Sequence, residues 1–175
     1  MSGRDAREGE VWKDALPRLI EVATARKPPT RPRSRGECVR APGSSRTFYA
    51  NKIDRLGIEF QVERMAFVGL QTMDPRIVRI PPGKCNERHR HAHESLFVVL
   101  KGSAEVLIGE TSYPTAVGEV AFVPRWIMHQ TRNVGDEELV LLAITDFGFT
   151  NALLGNYDRR TRLSDGGDDA DEGKE

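Results

Sequence analysis

The chain has 175 residues, 38% apolar and 30% charged, with 26 basic side chains balanced by 26 acidic ones. That length suits one domain with tails, and a formal charge of zero excludes a global electrostatic attraction to nucleic acid or to an acidic membrane surface. No apolar run nears the roughly 20 residues of a membrane span, and the N-terminus has no apolar signal centre, so a cytoplasmic protein with reduced thiols is expected.

Residues 5–25 carry a loose helical stripe (Trp12, Leu16, Leu19 or Ile20, Ala23) that Pro17 interrupts. From 26 to 46 the composition turns to Arg, Pro, Ser and Gly, which builds no core and predicts an extended linker. Residues 1–46 thus read as an N-terminal segment and 47–157 as the ordered domain. Within that domain, short apolar runs at 58–62, 65–70, 76–80, 96–100, 104–108, 120–123 and 139–144 alternate with Gly and Pro turns. Runs so spaced, with no helix between them, predict an all-β antiparallel sandwich or barrel. One short helix is expected at 150–157. The acidic, Gly-rich end of the chain makes 158–175 a disordered tail by expectation.

The densest chemistry lies at Cys85-Asn-Glu-Arg-His89-Arg-His91-Ala-His93-Glu94-Ser95. Side chains two apart on an extended strand share a face, so His89 and His91 point to one spot. Imidazole suits zinc, iron, nickel and copper, and His129 in a later strand-like run is the candidate third ligand. His93 and Ser95 share the parity of the first two. Glu94 is out of phase and joins them only through a bulge. The two cysteines, Cys38 and Cys85, form no Cys-x-x-Cys pair.

Two motifs then resemble those of the cupin superfamily of small jelly-roll β-barrels. Gly83, His89, His91 and Gly102 fall on the first motif, with Ser95 where that family usually has Glu. Gly118, Pro124, His129 and Asn133 fall on the second, with Trp126 in place of a Gly. The resemblance implies a double-stranded β-helix with a divalent metal held by His89, His91 and His129, without the customary Glu. It implies Fe(II) first, with Zn, Mn, Ni or Co as alternatives, and His93, Glu94 and Ser95 as candidate catalytic side chains around the metal. Three-histidine cupins include dioxygenases, so a dioxygenase-type oxidoreductase acting on a small polar molecule is the leading expectation. A non-redox isomerase, lyase or hydrolase, and a non-catalytic sensor, are the alternatives. The expected partners are a small-molecule substrate and a second copy of the chain in a homodimer, with no nucleic acid and no membrane.

Overall fold

Period-two burial along the apolar runs is realised, among the described residues, as nine strands in two antiparallel sheets. The computed structural model describes Pro17, Ile20 and residues 31–154. Apart from those first two residues, the helical stripe predicted at 5–25 lies outside the described residues, as does the acidic tail. A single helical turn, α1 (Arg35–Cys38), precedes β1 (Thr47–Ile53), the 3₁₀ turn Asp54–Leu56 and β2 (Ile58–Arg64). Then come β3 (Asp74–Ile80), β4 (Ser95–Lys101), β5 (Ala104–Ile108) and β6 (Thr111–Thr115). The chain continues through β7 (Val120–Val123), β8 (His129–Asn133), β9 (Leu139–Thr145) and α2 (Phe147–Leu154).

One sheet has the order β1-β2-β3-β9-β4-β7 and the other β6-β5-β8. The segment ahead of β4 joins them: Cys85 bridges Ile58 of β2 and Arg132 of β8, and His89 bridges His129. The result is a double-sheet jelly roll, which falls in the sandwich-or-barrel class that the strand spacing predicts and is the form that the cupin resemblance implies. Ile80, Val106, Val123 and Leu139 are fully buried between the sheets, and burying each contributes roughly 1.5–3 kcal/mol. Among the described residues no helix is long and apolar enough to cross a membrane.

Four local expectations are corrected. The run 65–70 is a loop, apolar because Met65 and Phe67 cover Ile77 and Val140 on the outer face of the larger sheet. Strands β1 and β6 lie where no strand was predicted. The described part of the Pro-rich segment is not extended throughout: it holds the helical turn α1, and Gly43 N and Ser45 N donate to the Glu63 carboxylate at 2.6 and 2.7 Å. Helix α2 starts at Phe147 rather than 150, with Phe149 N and Thr150 N both bonded to Asp146 O. A Cβ on Gly148 would lie 2.6 Å from Gln71 O, so glycine lets this helix sit tightly against the chain before β3.

Candidate metal centre

From Cys85 to Val99 every odd-numbered residue is buried, while Arg88, Arg90, Glu94 and Leu96 between them are exposed. This alternation carries a row of polar side chains (Glu87, His89, His91, His93, Ser95) into the barrel interior. Strand β8 faces the row and brings in His129, which is fully buried.

The ligand nitrogens of His89, His91 and His129 lie within 4.8 Å of one another. Their ring centroids are 4.4 Å apart for His89–His129, 4.6 Å for His91–His129 and 5.3 Å for His89–His91. Each ring is fixed by a backbone carbonyl only two residues away. His89 Nδ1 bonds Glu87 O at 2.8 Å, His91 Nδ1 bonds His93 O at 2.8 Å, and His129 Nδ1 bonds Ile127 O at 3.0 Å. A carbonyl only accepts, so each Nδ1 carries the proton and each Nε2 keeps its lone pair. Such outer hydrogen bonds set the tautomer and orientation of metal-ligating imidazoles. Burial, and then the neighbouring imidazoles His93, His129 and His89, hold His91 far below its ordinary pKa and therefore neutral. Three buried imidazoles, each donating from Nδ1 to a carbonyl, fit a divalent cation.

The other sequence-predicted residues separate. His93 is buried and stacked on His91 at 3.4 Å between centroids, with the Phe147 ring edge-on at 5.5 Å, and does not join the three converging nitrogens. Glu94 points outward and lies 3.6 Å from Arg125. No bulge reverses its parity, so it is away from the cluster. Ser95 lines the cavity beside the histidines, and its buried Oγ has no hydrogen-bond partner in the protein. Arg125 is engaged with Asp146 at 2.6 Å and the Ala92 carbonyl at 2.7 Å, tying the histidine segment to the end of β9. Asn133 buttresses the far end of β8 through the carbonyls of Ile80 and Glu137. The turn before β8 holds Trp126 at φ 60°, the left-handed conformation for which a glycine is suited, and Trp126 N donates to His91 O.

The cavity over these imidazoles measures about 60 Å³. Sequence reading missed several polar side chains on its wall, among them Glu87, Thr131 and Arg76. Glu87 is fully buried, and its Oε1 accepts from Tyr49 Oη at 2.6 Å and Asn51 Nδ2 at 2.8 Å. Its parity with His89 was the available signal.

The geometry defines a class: a jelly-roll barrel with a three-imidazole cluster on its inner wall. Comparison with known proteins supplies the family. The cupin-domain family model matches residues 76–145, and the crystal structure of a cupin-2 domain from Rhodospirillum rubrum superposes with a TM-score of 0.52. That pair shares 24% identity over 67% of this chain and 78% of the other, a likeness of fold. Residues 76–145 thus match a cupin domain, in agreement with the cupin resemblance of the two sequence motifs. Two curated relatives are auxin-binding protein 1 of Arabidopsis thaliana, 31% identical over 85 residues, and 5-aminosalicylate 1,2-dioxygenase of a Comamonas species, 30% identical over 77 residues. The match covers 43% of each chain in the first case, and 44% of this chain and 20% of the enzyme in the second. The chain therefore aligns with less than half the length of either relative.

Proposed function

We propose that this cupin binds one divalent metal through His89, His91 and His129 and acts on a small polar molecule, with Fe(II)-dependent dioxygenase chemistry as the leading reaction type. The observation that carries the reading is the shared tautomer: three Nδ1–H groups tied to backbone carbonyls leave three Nε2 lone pairs in one buried place. Three protein ligands leave further coordination positions open, the layout of catalytic rather than structural sites. A metal held this way supplies Lewis acidity and, if it is iron, redox chemistry. The chain's part is to hold the imidazoles neutral and to exclude bulk water from a small cavity. The 30% identity to a named dioxygenase supports the oxidative reading. The 31% identity to a named auxin-binding protein supports a second one, ligand capture without turnover.

Metal analysis tests the common core of both readings. The purified full chain takes up about one equivalent of Fe(II), Zn(II) or Co(II), and His129→Ala weakens that uptake by at least about 100-fold. Equal, negligible metal in both proteins rejects the proposal. Dioxygen consumption by the iron-loaded chain with small carboxylates then separates turnover from capture.

A further inference from the structure

The cavity that the histidines line also carries a cation. Arg76 on β3 is 6% exposed and lines the same cavity. Its Nε and Nη2 both donate to Asp74 Oδ2, at 2.9 and 2.6 Å. Asp74 Oδ1 meanwhile accepts from Arg64 Nε at 2.8 Å. One buried carboxylate thus serves two guanidinium groups, and the cluster keeps a net positive charge. Arg64 meets solvent, whereas Arg76 does not. The Arg76 guanidinium is also flanked by the Phe147 ring at 4.9 Å and the Phe48 ring at 5.8 Å, which limit its orientations. Its cross-strand neighbour on β9 is Ala143, whose small side chain leaves space beside it.

The same cavity holds buried polar atoms that the protein does not satisfy: Glu87 Oε2, Ser95 Oγ and Thr131 Oγ1. Buried polar groups are ordinarily hydrogen-bonded, and unsatisfied ones gathered in one cavity call for a ligand or water to pair them. A volume of about 60 Å³ accommodates roughly four to six water-sized positions at about 10–15 Å³ each. From these features we infer that the cavity selects a small carboxylate bearing a hydrogen-bond donor such as a hydroxyl, with Arg76 pairing the carboxylate and Glu87 accepting from the donor. The inference rests on the proposed function in taking this cavity as the substrate site, and it names that substrate's class. Arginine suits the task because its planar fork matches a carboxylate, and Asp74 holds it in place beforehand.

The test uses the metal-free full chain, so that attraction to a metal contributes nothing, and reads binding by calorimetry. Glycolate, which has the carboxylate and the hydroxyl, binds at least tenfold more tightly than its neutral analogue glycolamide and at least threefold more tightly than acetate. Arg76→Lys keeps a cation beside Asp74 but loses the fork, and weakens glycolate binding at least tenfold with an unchanged circular dichroism spectrum. Glu87→Gln brings the glycolate-to-acetate ratio close to one. Equal binding of glycolate and glycolamide by the wild type overturns the inference, as does a folded Arg76→Lys protein that binds glycolate like the wild type. If Arg76→Lys does not fold, the wild-type comparison decides alone. Metal titration of the same samples separates the two readings: anion preference without metal uptake rejects only the metal centre, and metal uptake without anion preference rejects only the carboxylate site.

Discussion

The histidine wall and the Arg76 wall of the cavity are both polar and both buried, yet they are stabilised in opposite ways. Each metal-site histidine is oriented by a carbonyl two residues away along the chain, and burial keeps His91 neutral. Arg76 is a charge, and side chains from other parts of the chain surround it: Arg64 of β2, Phe48 of β1 and Phe147 of α2, besides Asp74 of its own strand. Neutral ligands orient themselves locally and expose no charge to the low-dielectric interior. A buried cation needs a partner, and that partner becomes essential to the fold.

The largest expected effect follows from that contrast. Asp74→Ala leaves the buried Arg76 guanidinium without its counter-charge and destabilises the fold by about 3–5 kcal/mol in urea unfolding. His129→Ala removes a ring from the edge of an existing cavity and is expected to cost about 1 kcal/mol by the same measurement, although it is expected to weaken metal uptake at least about 100-fold. If the two variants lose equal stability, the walls do not differ in the way described.

A smaller effect is the pH dependence of the metal-free protein. The folded-state pKa of His91 lies far below its ordinary value of 6.5, because burial and three neighbouring imidazoles disfavour the imidazolium. The unfolded chain therefore binds the proton first as pH falls. The His91 contribution is absent as a penalty above pH 6.5 and grows below it, by up to about 1.4 kcal/mol per pH unit for one proton. Between pH 6.5 and 5, the wild type should lose stability more steeply than His91→Gln, by about that slope. Parallel pH profiles for the two would show that His91 accepts a proton in the folded barrel.

The same contrast decides what could be read from the sequence. The histidine wall is local, so its spacing displays it: period two carries His89 and His91 inward, and the second motif adds His129. Glu87 has the same parity and was legible in principle, but no motif position draws attention to it. Arg76 was not legible. Its surroundings depend on the register that sets β3 beside β9 and on α2 closing over it, and neither is written near residue 76. Strand β6 escaped notice because Pro114 reads as a turn residue, although proline is tolerated on an edge strand, which β6 is. The apolar run at 65–70 misled in the other direction, since covering the outside of a sheet demands the same side chains as forming one.

The turn ahead of β8 offers the finest test of how far the histidine wall depends on backbone alone. Trp126 sits at φ 60°, where a side chain costs about 1–2 kcal/mol relative to the right-handed region. Glycine there removes that cost but frees the unfolded chain, which takes back about 0.4–1 kcal/mol. The indole is 51% exposed, so truncating it removes only part of a buried ring's packing. Trp126→Gly is therefore expected to raise stability by up to about 1 kcal/mol, a gain of a few degrees in Tm. The bond from residue 126 N to His91 O belongs to the main chain and survives the substitution, so metal affinity should stay within about threefold of wild type. A lower Tm would mean that indole packing outweighs the backbone cost. A weaker metal affinity at unchanged Tm would mean that the side chain, and not only the turn, helps to orient the imidazoles.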